Sequence, residues 1–315
     1  MLFRSPGMVV VGSDSHTPVH GALGAFAAAV GNDCHAGMVF PHSKAWFRVP
    51  STIRIELTGK LKQGTTARDV ALWLTSQIGE GGAVYKALEF GGPFVDELSL
   101  FDRWLLPLIT VDVGAKCGYI EPDEKVFEFA SALNVMGHWQ GLNITQQSKR
   151  KPEAVWEYDV SQLEPQIACP PTVGNVKSVG DVAGKSIQWA EVGGHGGGRI
   201  EDIRMVAQVL RGKSVHPQVR LNIVPCSRGV FTQALQEGLV QELHDAGALW
   251  FPPSTGSNQA VNMGAMAAGE AMISTQSRNF PGRNGSSESS MYLSSALTVA
   301  ASALHGRITD ARGIA

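Results

Sequence analysis

Cysteine is scarce in this 315-residue chain. It has four, Cys34, Cys117, Cys169 and Cys226, far apart and with no C-x-x-C pair. A disulfide framework is therefore not expected in a chain of this size. Long apolar runs are lacking too. No stretch reaches the roughly 18 residues of a membrane span, and the apolar stretch 21–30 is broken by small residues. The N-terminus shows no basic start followed by a long apolar core, so no signal peptide is read and the cytoplasm is expected. The net charge is only −2. Without a basic excess there is no electrostatic footprint for nucleic acid. The one basic cluster, Lys149–Lys151, reads as a solvated loop.

What is present is ordinary for a globular protein: 43% hydrophobic residues and 17% charged residues, with 36 glycines. The length allows two or three cores, and the glycines imply many tight turns. Residues 8–12 read as a buried strand ending in polar residues, and residues 21–30 as a small-residue helix packed on it. Thr52–Thr58 alternates apolar Ile53, Ile55 and Leu57 with Arg54 and Glu56, as a half-buried strand does. Thr66 suits the cap of a helix running to Ile78. Residues 83–90 and 109–113 look buried. Strands are expected at 186–192, 219–225 and 249–252, with helices at 200–210 and 231–238 between them. This order gives a parallel sheet with sites at strand ends.

Three groups of residues suit chemistry. Asp14, Ser15 and His16 follow the first strand, where they can orient one another for proton transfer, bind a metal, or simply cap a helix. The turn Gly193–Gly198, with His195, Gly196 and Gly197, precedes a helix and offers free backbone N–H groups to an anion, or is a plain tight turn. It matches no nucleotide-binding fingerprint. Arg278 and Arg283 bracket a Pro-Gly turn, an arrangement suited to carboxylates or to two surface arginines. Asp112 closes an apolar run and is either buried and shifted or at a strand end.

Longer motifs then align in order. Val11-Gly12-Ser13-Asp14-Ser15-His16-Thr17 with Gly21-Ala22-Leu23-Gly24 resembles a G-x-D-S-H-T…G-x-L-G signature. Residues 49–61, Val113-Gly114-Ala115-Lys116-Cys117-Gly118 with Pro122-Asp123-Glu124, and Gly198-Arg199-Ile200-Glu201-Asp202 continue the match. Ser277-Arg278-Asn279-Phe280-Pro281-Gly282-Arg283 resembles N-R-N-F-x-G-R. Together they resemble the large, cluster-binding subunit of the aconitase and isopropylmalate isomerase superfamily over nearly the whole chain. The resemblance implies an aconitase-like α/β fold, with doubly wound domains around a shared cleft. It implies a remnant of a first domain at 1–48 joined by 290–315, a second domain at 49–160, a linker at 161–180 and a third domain at 181–289.

In that family three cysteines hold a [4Fe–4S] cluster, which acts as Lewis acid in the dehydration and rehydration of hydroxy di- or tricarboxylates. The matching positions here are His195, Thr255 and Asn258, none of them cysteine. A cluster needs thiolate ligands, so the sequence leads to an expectation of no cluster. The alternative is a single divalent ion on His195, His16 and Asn258, which are N/O ligands. The segment before the first motif and the swivelling domain that supplies the family's serine base are also not found, and Ser277 and Asp112 replace Asn and Glu. The resemblance then implies Asp14, Ser15, His16 and Asp112 as catalytic residues. It implies Ser277, Arg278, Arg283, Gly196, Gly197 and Arg199 as the binders of a small carboxylate. The expected function is a cluster-independent lyase or isomerase. It would work by acid–base chemistry with a small swivel-domain subunit or as a homo-oligomer. A non-catalytic scaffold subunit is the competing expectation.

Overall fold

The computed structural model describes residues 6–133, 151–258 and 263–314. Lys149 and Arg150 of the basic cluster lie outside them. The chain divides into two compact units. One comprises residues 1–60 and 77–162, the other residues 61–76 and 163–315.

In the first unit, β1 (Val9–Gly12) pairs in parallel with β2 (Phe26–Ala29). The second sheet of this unit is built from β3 (Thr52–Thr58), β4 (Ala87–Gly91), β5 (Cys117–Ile120) and β6 (Ala154–Asp159). Its order is β5-β4-β3-β6, parallel throughout. The alternation read in β3 is realised: Ile53, Ile55 and Leu57 are buried while Arg54 and Glu56 are not. Apolar and polar side chains fall on opposite faces because the strand period is two.

The stretch expected as a helix at 21–30 is instead a 3₁₀ helix, Thr17–Leu23, followed by β2. Its small residues serve close approach. A Cβ on Gly21 would stand 1.7 Å from the Gly118 carbonyl oxygen of β5. Gly24 turns the chain with a φ of 73° beside Pro122. Ala27 and Ala28, fully buried, then pair with β1. Alanine favours helix by propensity, and here sheet pairing overrides it.

In the second unit, the described strands form one sheet in the order β11-β10-β9-β12-β13-β7-β8. They are β7 (Gln166–Ala168), β8 (Val176–Ser178), β9 (Trp189–Val192), β10 (Arg220–Ile223), β11 (Leu249–Trp250), β12 (Ala271–Ser274) and β13 (Ser290–Ser294). β9 to β13 are mutually parallel, and β7 and β8 add an antiparallel edge. The segment read as a linker thus supplies two strands. Helices Ile200–Leu210 and Ala296–His305 bury Ile203, Val206, Val299 and Ala300 in the same core as Ala190 and Ile273 of the sheet. An apolar stripe that recurs every three to four residues produces this burial.

The helix Ala67–Ile78 begins where the sequence places it. Thr66 Oγ1 accepts from the Arg68 backbone N–H at 3.2 Å, and Asp69 Oδ2 accepts from the Thr66 N–H at 2.8 Å. Thr66 thus acts as an N-cap through the N–H of the second helical residue, and Asp69 reaches back to the cap's own N–H. The other Asp69 oxygen accepts from the Gln166 N–H of β7 at 2.7 Å, so one carboxylate fastens the helix start to the sheet. Burial pushes Asp69 up to about 6, against these hydrogen bonds.

An acid whose pKa rises on folding holds its proton more tightly when native. Its contribution to stability is complete below the unfolded carboxylate value and is lost as pH rises through about 6. The loss is expected to be about 2 kcal/mol between pH 4 and 7. Asp69→Asn should flatten that slope. It should also cost about 1–3 kcal/mol at pH 7, because an amide NH2 then meets a backbone donor. Urea unfolding of both proteins across this pH range checks it.

Candidate functional site

In the first unit, β1 ends at Gly12 and delivers Asp14, Ser15 and His16. Asp14 organises the turn. Its backbone oxygen accepts from the Thr17 hydroxyl at 2.6 Å and from the Thr17 N–H at 3.1 Å. Its side-chain Oδ1 accepts from the His16 N–H at 2.7 Å and lies 2.9 Å from His16 Nδ1. Gly12 is required here, since a Cβ would fall 2.3 Å from Thr17 Oγ1. The imidazole is mostly buried while the Asp14 carboxylate is largely exposed. An Nδ1–H shared with a carboxylate fixes the orientation and tautomer of the ring. Ser15 is half-buried. Asp112 lies in the turn after the apolar run, half-buried, with its N–H bonded to the Ile109 carbonyl.

In the second unit, three loops at the carboxyl ends of parallel strands converge: 193–198 after β9, 254–258 after β11 and 275–284 after β12. The first and third of these follow the adjacent strands β9 and β12, where the strand order reverses and where α/β proteins place ligands. Gly194 and Gly198 take left-handed φ values of 75° and 77°. A Cβ on Gly198 would meet the Val224 carbonyl at 2.1 Å. Gly193 is doubly tied to Thr275: its N–H donates to Thr275 Oγ1, and the Thr275 hydroxyl faces the Gly193 carbonyl, both at 2.9 Å. His195 is half-buried on this turn.

Arg283 is buried, its guanidinium 5.1 Å from the Phe280 ring centroid, and its N–H closes the turn on the Phe280 carbonyl at 3.1 Å. Ser277 is buried and Arg278 half-buried just before that turn. Arg199, expected as a substrate binder, grips Asp202 bidentately at 3.0 and 2.7 Å and so fixes the start of the helix Ile200–Leu210. Gly196 and Gly197 are buried in the turn. Asn258 is half-buried, and its side-chain oxygen has no hydrogen-bond donor among the described residues. Thr255 is exposed.

The centre of this arrangement, Glu191, escaped the sequence reading. It lies in β9 with no exposed surface. Its Oε1 accepts from Gln276 Nε2 at 2.7 Å and from the Ser257 N–H at 3.3 Å. Gln276 Nε2 also donates to Ser257 Oγ at 2.8 Å, and Asn284 Nδ2 to the same oxygen at 3.0 Å. Gly256 passes so close that a Cβ would lie 2.5 Å from Glu191 Oε1. Burial holds the Glu191 carboxyl above the usual carboxylate range, opposed by the hydrogen bonds from Gln276 and Ser257. The available signal was a carboxylate inside the apolar run 187–192, directly before two glycines.

The Ser257 N–H is shared between both Glu191 oxygens, at 3.3 and 3.2 Å, while Gln276 Nε2 donates to Oε1. Glu191→Gln, which keeps one of these acceptors, should therefore fold with a loss of about 1 kcal/mol. Glu191→Ala leaves both donors and a cavity, with an expected loss of about 3 kcal/mol. Chemical denaturation of the two variants checks this, and equal losses would contradict the hub role.

The family model described as the aconitase family (aconitate hydratase) matches residues 2–191 and 178–306. The 3-isopropylmalate dehydratase large subunit 1 of Methanopyrus kandleri is 45% identical over 307 residues, covering 98% of this chain and 72% of that protein. The probable 3-isopropylmalate dehydratase large subunit of Methanothermobacter thermautotrophicus is 44% identical over 308 residues, covering 96% and 72%. Among solved structures, aconitase X of Thermococcus kodakaraensis aligns with a TM-score of 0.46 and 10% identity. The alignment covers 86% of this chain and 62% of that one, a likeness too distant to carry an argument.

These findings correct one expectation. Neither a site without a [4Fe–4S] cluster nor one with a single ion in its place stands, because identities of 38–45% tie the chain to large subunits in a family whose cofactor is that cluster. The residues at the motif positions do not fit the group as the family holds it. His195, Thr255 and Asn258 offer no thiolate, and the second unit contains two cysteines, buried Cys169 and exposed Cys226, against a need for three. No helix among the described residues is long and apolar enough to cross a membrane. The family match over most of the sequence, together with relatives above 40% identity, settles the identity: this chain belongs to the aconitase family, as a hydro-lyase similar to 3-isopropylmalate dehydratase large subunits.

Proposed function

We propose that the chain is the large subunit of a hydro-lyase that removes water from, and returns it to, a hydroxy dicarboxylate of the isopropylmalate type, working with a small-subunit partner. The relatives' names supply the substrate class and the partner. The observation that carries the chemistry is the 2.9 Å contact between His16 Nδ1 and Asp14 Oδ1.

Dehydration breaks one C–H and one C–O bond, forms a C=C bond and releases one water. The carbon beside a carboxylate must lose a proton, and the departing hydroxyl must gain one. Asp14 holds Nδ1, so Nε2 of His16 is the atom that moves one of these protons. Ser15 and Asp112 are assigned to the same proton-handling set. Negative charge that builds up next to the carboxylate calls for preorganised positive groups. Ser277, Arg278 and Arg283 are assigned to bind the two carboxylates, aided by backbone N–H groups of the turn at Gly196 and Gly197. Arg199, held by Asp202, orients the helix whose start underlies that turn.

With the chain co-purified with its partner and 3-isopropylmalate as substrate, turnover is followed by the absorbance of the conjugated alkene. His16→Gln should lower kcat by about a hundredfold or more with little change in KM. Asp14→Asn should lower kcat as well, through the wrong tautomer. Arg278→Ala should chiefly raise KM, by about tenfold or more. Wild-type kcat in His16→Gln would overturn the assignment.

A further inference from the structure

We infer that Arg68 is a positioning and specificity residue for the carboxylate site, an inference that rests on the proposed function. Arg68 is the second residue of the helix Ala67–Ile78 and is buried, at 5% exposure. Its Nη2 donates to the backbone carbonyl of Gln276, the residue directly before Ser277 and Arg278. Its Nη1 lies against the glycine turn, 2.6 Å from the point a Cβ of Gly196 would occupy, and the Thr275 carbonyl stands 2.7 Å from that same point. One guanidinium therefore bridges the two segments assigned to carboxylate binding.

Arg68 is itself held in place. Asp69 ties the helix start to Gln166 of β7 and to Thr66. The position of β7 in the sheet is thus relayed through Asp69 and Arg68 to Ser277 and Arg278. A planar fork can reach a carbonyl and a second segment at once, whereas a lysine ammonium is a point charge that cannot hold both. Gly196 is glycine because the fork and the Thr275 carbonyl leave room for hydrogen alone. The buried cation also adds positive potential beneath a turn suited to anions. Arg68 is thus assigned to fix the separation between the turn and the arginine loop, and through it the length of dicarboxylate accepted.

The test is binding of 3-isopropylmalate, by calorimetry, to the chain co-purified with its partner, together with kcat and KM. The proteins are wild type, Arg68→Lys, Gly196→Ala, the double variant and Arg278→Ala. Arg68→Lys and Gly196→Ala should each raise Kd and KM by about tenfold with kcat changed less than about threefold. The double variant should be no weaker than the worse single one, because both changes break the same bridge. Arg68→Lys should also narrow the preference for 3-isopropylmalate over a dicarboxylate one carbon longer. Wild-type affinity in Arg68→Lys, or effects that multiply in the double variant, would overturn the inference. Should Arg68→Lys not fold, Gly196→Ala alone decides, with unchanged Kd counting against it. No binding by wild type, or wild-type binding by Arg278→Ala, would instead overturn the underlying functional reading.

Discussion

A carboxylate buried in an apolar strand must find hydrogen-bond donors, and much of the second unit is arranged around that requirement. Glu191 sits in β9, where its neighbours Ala190 and Val192 are packed into the core. Water does not reach it, so its acceptors must be met by the protein. Gln276 from the loop after β12 and the backbone of Ser257 from the loop after β11 provide the donors. Ser257 Oγ in turn receives Gln276 and Asn284. A single buried carboxylate thereby draws two separate loops to one place. Such a network is rigid when satisfied, because each missing bond would expose an uncompensated polar group.

Glycine makes the convergence sterically feasible. Gly256 lets its loop lie on Glu191, Gly198 lets the turn meet the Val224 carbonyl, and Gly196 admits the Arg68 guanidinium. In the first unit Gly21 plays the same part against β5. These residues are spacers for backbone contact, and the high glycine content of the sequence is spent there as well as in ordinary turns.

The chain keeps the acid–base and arginine motifs of its family while presenting His195, Thr255 and Asn258 where the family presents thiolates. Around those positions the structure is well ordered by polar contacts of its own. Glu191 and Gln276 bind Ser257, which lies between Thr255 and Asn258 in the sequence. The turn at Asp14 and His16 is held in part by local bonds, from the Asp14 carboxylate to the His16 N–H and ring.

The sequence by itself determined whatever depends on local pattern or contiguous motif. The alternation of β3, the cap at Thr66, the helix at 200–210 and the signature around His16 were legible because each is encoded within a few residues. The family, and with it the lyase chemistry, followed from motifs in order along the chain. Tertiary structure decided the rest. The alanines of β2 became a strand because β1 offered backbone partners, a contact across 17 residues that propensity cannot register. Asp69 found Gln166, 97 residues away, and Arg68 found Gln276, 208 residues away. Glu191 acquired meaning only when loops more than 60 residues distant closed over it. Buried polar groups take their partners from whatever the fold brings near, and spacing along the chain does not encode those meetings.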